Sequence, residues 1–164
     1  MSATSSAARW VYSIGLVAVV LDQVTKYAAE AFLGNGQVVN VVGDILRFRL
    51  AYNEAAAFSL GFGATWVLAL ISSVAVLLLL WFGPKAKTTT WAVIAGLVLG
   101  GAAGNWVDRV FKEPQFFSGH VVDFIQIPFN FPIFNLADSF LVIGILIAIL
   151  RTLRGDEIGG GKVE

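Results

Sequence analysis

The chain has 164 residues, of which 57% are hydrophobic and 13% charged, about half the charged fraction of a soluble domain; its mean hydropathy is +0.79. The formal net charge is zero, so no basic excess exists to neutralise a run of phosphates, and nucleic acid is excluded as an expected partner. With no cysteine and a single histidine, His120, the chain has no material for a disulfide, a thiolate nucleophile or a histidine cluster, and no metal or other cofactor is expected.

A bilayer core about 30 Å thick needs roughly 20 mostly apolar residues per helix, and four runs of that size follow one another in a single domain spanning residues 1–164. The first spans about residues 10–32 and carries Asp22 and Lys26 toward its far end. A removable signal peptide is the rival reading of this segment. Those two charges, standing where a small-residue cleavage site would be needed, favour a retained helix. Next comes a loop in which Leu46-Arg47-Phe48-Arg49-Leu50 alternates apolar and charged residues, the period of a half-buried strand. Val38 to Val42 can pair with it, giving a small sheet at the membrane surface.

The second helix, residues 64–82, ends at Gly83-Pro84, because proline cannot continue a helix comfortably. The third spans about residues 91–107. A second loop then holds Phe116, Phe117, Phe124 and Phe129, aromatic residues that favour the bilayer interface. The fourth helix spans about residues 133–150, with Pro132 placed to begin it. The glycine-rich segment 155–164 reads as a frayed, flexible tail. With four crossings, Arg9, Lys85, Lys87, Arg151 and Arg154 share one side. The positive-inside rule makes that side the cytoplasm, with both termini there and both loops outside.

Ionisable groups within membrane spans are costly, so each is a candidate functional residue. Asp138 lies about six residues into the fourth helix, with Asn135 one turn earlier on the same face. It is read either as a reacting carboxyl or as a hydrogen-bonded group joining helices. On the third helix Gly101, Asn105, Asp108 and Arg109 line one stripe. Gly96, Gly100 and Gly104 recur every four residues, a spacing that admits a close neighbouring helix. Arg109 either forks onto carboxylates or carbonyls at the site, or snorkels or pairs with Asp108. Asp123, in Val121-Val122-Asp123-Phe124-Ile125 of the second loop, has apolar flanks that raise a carboxyl pKa. Two carboxyls sharing one site divide a single proton between them, as aspartic proteases require. Asp22 and Lys26, spaced i, i+4, form a salt bridge in the simplest reading. Ser118-Gly119-His120 lacks the surroundings of a serine nucleophile elbow.

Taken together, Leu21-Asp22-Gln23-Val24-Thr25-Lys26, Asn53-Glu54-Ala55-Ala56-Ala57-Phe58-Ser59, the segment from Gly100 to Arg109, Val121-Val122-Asp123-Phe124 and Phe134-Asn135-Leu136-Ala137-Asp138-Ser139 closely resemble the motifs of bacterial lipoprotein signal peptidase, signal peptidase II. Five blocks in the right order cover about residues 10–150. The resemblance implies an all-α membrane protein with four transmembrane helices, a small extracytoplasmic β-cradle and a short interfacial helix. It assigns catalysis to Asp123 and Asp138, the substrate pocket to Asn53, Gly101, Asn105, Arg109 and Asn135, and support from the first helix to Asp22 and Lys26. The implied substrate is a diacylglyceryl-modified prolipoprotein, cut on the amino side of its lipidated cysteine at the outer face of the bacterial inner membrane. Membrane lipids and cyclic peptide inhibitors of the globomycin type are the other implied ligands, and the chain is expected to act as a monomer. One departure stands out: Ala55 occupies a position where the family usually has glycine. A φ > 0 conformation there would be strained. A proton-coupled transporter is the rival from another class, since intramembrane Asp and Arg also mark ion pathways, but neither broken helices nor an inverted repeat is visible.

Overall fold

The computed structural model describes residues 3–54 and 65–160. Helix α1 (Ala3–Leu33) leads into strands β1 (Val38–Val42) and β2 (Leu46–Asn53). Then come α2 (Thr65–Phe82), a 3-10 turn at Gly83–Lys85, α3 (Thr89–Phe111), β3 (Val121–Gln126) and α4 (Leu136–Leu153). All four helices are long and apolar enough to cross a membrane. At 31 residues α1 extends about 46 Å, well beyond the hydrocarbon core. Ala55 lies outside the described residues, and no short interfacial helix is seen among the described ones.

Helix α3 is the centre of the bundle because glycine removes its side chains on two faces. A β-carbon at Gly96 would stand 2.8 Å from that of Ile14, one at Gly100 would stand 2.4 Å from that of Ala18, and one at Gly104 would stand 2.5 Å from Oδ2 of Asp22. The four-residue repeat on α3 thus meets a four-residue repeat on α1, and the two backbones approach along three turns. On the other face Gly101 meets Ala137 and Leu141 of α4, and Gly144 of α4 meets Val98 of α3. Helix α2 joins the bundle through Val76, which shares one buried apolar cluster with Val11, Ala92 and Leu99. Trp106 Nε1 also donates to Ser73 Oγ at 2.8 Å.

The three strands form one antiparallel sheet in the order β1-β2-β3. The alternation of Leu46 to Leu50 gives β2, paired to β1 with Val39 opposite Phe48. Strand β3 corrects the expectation that Val121 to Ile125 is a loop. Five of the six residues of β3 pair with β2, Asp123 opposite Ala51 and Val121 opposite Asn53. Phe124 is likewise no interfacial anchor. It is buried against Ala29 and Leu33 at the end of α1, edge-on to Phe48 at 5.9 Å, and this cluster seats the sheet on the bundle. Phe116 and Phe129 do stand exposed.

Two helix ends also differ from expectation. Helix α4 begins at Leu136, three residues later than Pro132-Ile133 suggested, because Asn135 rather than proline supplies its cap. Asn135 Oδ1 accepts from the backbone N–H of Asp138 while Asp138 Oδ2 accepts from that of Asn135, a reciprocal capping box. At the opposite end of the bundle the glycine-rich segment is held rather than frayed through residue 160. Lys87 N donates to Gly159 O at 2.7 Å, and Arg151 pairs with Asp156.

Candidate active site

The site is assembled where the far end of α1, the end of α3, the start of α4 and strand β3 converge. Its base is Lys26, which is fully buried. An ammonium has three donors, and Lys26 Nζ finds three acceptors: Asp22 Oδ2 at 2.8 Å, Asp108 Oδ2 at 2.9 Å and Asn105 Oδ1 at 3.0 Å. The salt bridge expected within α1 is therefore half of a larger arrangement, in which Asp108 turns to Lys26 rather than to Arg109. Gln23 Nε2 adds donors to Asp22 Oδ2 at 3.2 Å and Asp108 Oδ1 at 3.0 Å. Its role was not foreseen, although the i, i+3 spacing from Lys26 places it on the same helix face.

The two carboxylates of this base reach the two candidate catalytic segments. Asp22 Oδ1 accepts from the backbone N–H of Ala137 at 2.9 Å, satisfying a free donor in the first turn of α4. Asp108 Oδ2 accepts from the backbone N–H of Val122 at 3.0 Å. Ala137 and Val122 each immediately precede a candidate catalytic aspartate. The same buried cation thereby fixes the backbone on which Asp138 and Asp123 stand.

Asparagines complete the frame. Asn135 Nδ2 donates to Asp123 Oδ1 at 2.6 Å, and Asn53 Nδ2 donates to Asp123 Oδ2 at 3.1 Å. Asp138 Oδ1 accepts from Asn105 Nδ2 at 2.8 Å, and its Oδ2 accepts from the Asn135 backbone at 3.1 Å. Asn135 also donates to Asn105 Oδ1 at 3.0 Å. Fifteen residues apart in sequence, the two carboxyls thus meet around one asparagine. Asp138 stands in the first turn of α4, not deep within it. Its neighbour Asp123 is almost wholly buried, 3% exposed, whereas Asp138 is half-buried and accessible. Burial, and next the Asp138 charge, push the Asp123 carboxyl up to about 6, against the Asn53 and Asn135 hydrogen bonds and the Lys26 charge, which hold it down.

Arg109 lies within electrostatic reach of Asp123, Asp108 and Asp138. Its Nη1 is buried with no hydrogen-bond partner among the described residues, an unused donor beside the carboxyls. Gly101 differs from the other expected pocket residues. A β-carbon there would stand 2.4 Å from the carbonyl oxygen of Ala137, so the position admits the α4 backbone beside the site. His120 lies 3.9 Å from Glu54 and makes no hydrogen bond to either carboxyl. Among the described residues no group of three histidine, cysteine, aspartate or glutamate side chains is placed to hold a metal ion.

A family model described as "Signal peptidase (SPase) II" matches residues 14–154. The chain is similar to the lipoprotein signal peptidase of Leifsonia xyli subsp. xyli, 42% identical over 91% of this chain and 69% of that protein. It is also similar to the lipoprotein signal peptidase of Mycobacterium leprae, 41% identical over 95% and 79%. A solved bacterial membrane enzyme superposes with a TM-score of 0.77 at 32% identity, covering 88% of this chain and 92% of its own.

Proposed function

The chain belongs to the signal peptidase II family, and from that premise we propose that it is an aspartic endopeptidase acting on diacylglyceryl-modified prolipoproteins. It is a multi-pass membrane peptidase that removes signal peptides from lipoproteins. The observation that supports the aspartic mechanism is the pairing of Asp123 and Asp138 around Asn135 at one end of the bundle.

In this reading the working pair shares one proton, held by the more buried Asp123 and lost as pH rises through about 6. Asp138, half-buried and framed by two N–H donors, takes a proton from water as that water attacks the scissile carbonyl carbon. Asp123 gives its proton to the carbonyl oxygen, forming a neutral tetrahedral diol. Collapse of the diol breaks the C–N bond. The proton on Asp138 passes to the leaving amine of the lipidated cysteine, and the proton of one diol hydroxyl returns to Asp123. No covalent enzyme intermediate is formed. Arg109 Nη1, without a partner among the described residues, offers its donor to a substrate carbonyl, and Asn53 orients Asp123.

The catalytic end faces outward in this reading, since Arg9, Lys85, Lys87, Arg151 and Arg154 collect at the other end, with both termini on the cytoplasmic side of the inner membrane. A site at the end of the spans lets the substrate keep its acyl chains in the bilayer while the scissile bond meets water. Lipid anchorage then contributes remote binding energy to the transition state. The test compares matched peptides with and without the diacylglyceryl group in one detergent, following cleavage by mass. The lipidated peptide is expected to be cut on the amino side of its cysteine with at least a hundredfold higher kcat/KM, about 2.7 kcal/mol. Equal rates would make the protein a general membrane peptidase instead.

A further inference from the structure

Helices α1 and α4 are both drawn to α3 by its glycine faces, and they touch each other at the catalytic end, where Asp22 caps α4. Away from that contact they part and leave a groove open to the bilayer. Its deeper stretch is a cavity of about 230 Å³ bounded by Val17, Ala18 and Leu21 of α1, Leu97 of α3 and Phe140 of α4. Trp10 and Ser13 line both this stretch and a second cavity of about 360 Å³, which Ser6 and Arg9 complete. Ser6, Trp10, Ser13, Val17 and Leu21 follow spacings of four, three, four and four, one stripe of α1. Along that stripe, with Arg9 beside its first turn, the lining changes from a cation, two hydroxyls and an indole to purely aliphatic and aromatic carbon.

We propose that this groove binds one anionic glycerophospholipid, its phosphate held by Arg9 with Ser6 and Ser13 and one acyl chain lying past Val17 toward Leu21 and Phe140. Length supports it: Arg9 to Leu21 is twelve residues, about 18 Å of helix, slightly more than half of a roughly 30 Å hydrocarbon core. A headgroup at Arg9 therefore places the chain end near the bilayer midplane or just past it. Charge decides between a lipid and a substrate's signal peptide. Such a peptide begins with a positively charged region, which would lie at the same end as the Arg9 guanidinium and be repelled by it, whereas a phosphate is attracted. Trp10 at the mouth suits the headgroup level. The lipid belongs to the leaflet opposite the catalytic end, which on the reading above is the cytoplasmic one. Leu21 adjoins Asp22, so a chain filling the groove braces α1 directly beneath the Lys26 network.

The experiment is native mass spectrometry of the full-length protein in neutral detergent with equal phosphatidylglycerol and phosphatidylcholine of identical chains. Wild type is expected to retain one phosphatidylglycerol in preference. Arg9→Gln should reduce that preference about fivefold, as expected for one basic residue. Val17→Trp, a change at an exposed position that fills the groove, should lower retention of both lipids. Arg154→Gln, exposed at the same end, should change neither. The proposal is overturned if Arg9→Gln keeps the wild-type preference or if Arg154→Gln lowers it equally. A photoreactive side chain at Val17 that captures the substrate's signal peptide rather than lipid would overturn it too.

Discussion

Asn135 Nδ2 stands 2.6 Å from Asp123 Oδ1, the shortest of its hydrogen bonds, while the backbone N–H of the same residue donates to Asp138 Oδ2 at 3.1 Å. One asparagine is therefore cap of α4, spacer between two carboxyls and donor to both. Asn135→Ala removes the side-chain bonds together. Loss of the cap costs about 1 kcal/mol of stability, visible as a modest fall in the thermal midpoint. Loss of the frame should lower kcat/KM by roughly a hundredfold or more, a larger effect of about 2.7 kcal/mol. Activity falling only in step with stability would assign Asn135 to capping alone.

The pH profile follows from the raised Asp123 carboxyl. If the working form carries a proton on Asp123, kcat/KM declines as pH rises through about 6, where that proton is lost. The Asn53 hydrogen bond holds the carboxyl down. Asn53→Ala should accordingly raise it further and shift the declining limb to higher pH, whatever happens to the maximum rate. A limb that moves to lower pH, or stays in place, contradicts the assignment.

Lys26 is the only cation that Asp22 and Asp108 bond among the described residues, and all three are fully buried. Lys26→Met leaves two buried carboxylates facing each other and should cost about 3–5 kcal/mol. In detergent this appears as a lowered unfolding midpoint, with activity lost in parallel because Ala137 and Val122 are no longer held. Adding Asp22→Asn and Asp108→Asn to Lys26→Met should restore part of the stability by removing the unpaired charges. A midpoint unchanged in Lys26→Met would show that the network does not stabilise the fold.

The glycine face of α3 makes a reciprocal prediction. Gly100→Ala sets a methyl 2.4 Å from the β-carbon of Ala18. It should destabilise by about 1–3 kcal/mol through separation of the helices. Combined with Ala18→Gly, which returns the space, it should recover most of the loss when thermal unfolding of the single and double variants is compared. No recovery would place the strain elsewhere, at the Gly15 backbone that also faces this position.

Much of this was legible in the residues because the bilayer imposes strong rules. The four spans, the β1–β2 pairing and the glycine face each follow from a single period, and the burial of Asp123 follows from its apolar flanks. The start of α4 was misjudged because proline at a first helical position and asparagine at a cap are competing signals three residues apart, and here the cap prevails. Strand β3 was missed because a run such as Val121-Val122-Asp123-Phe124-Ile125 has no alternation to betray it. It is buried on both sides, so its pairing is set by β2 rather than by its own pattern. The link from Lys26 through Asp108 to the Val122 backbone joins α1, α3 and β3, and no local spacing encodes a contact across three elements. The held segment Gly155–Gly160 was hidden for the same reason: beside the local Arg151–Asp156 pair, it meets Lys87 and Thr88, remote in sequence.

The central claim is that Asp123 and Asp138 carry the reaction together, and it is tested by kcat/KM on a diacylglyceryl-modified prolipoprotein for Asp123→Asn and Asp138→Asn, each purified alongside wild type. Asparagine keeps the shape of the side chain but neither takes nor gives the working proton. Each variant is expected to insert in membranes, to unfold cooperatively as wild type does, and to lose about 10²–10⁴-fold or more of its activity, the range of one acid–base group. Turnover by either variant within about tenfold of wild type, below even the low end of that range, would contradict the shared-proton mechanism.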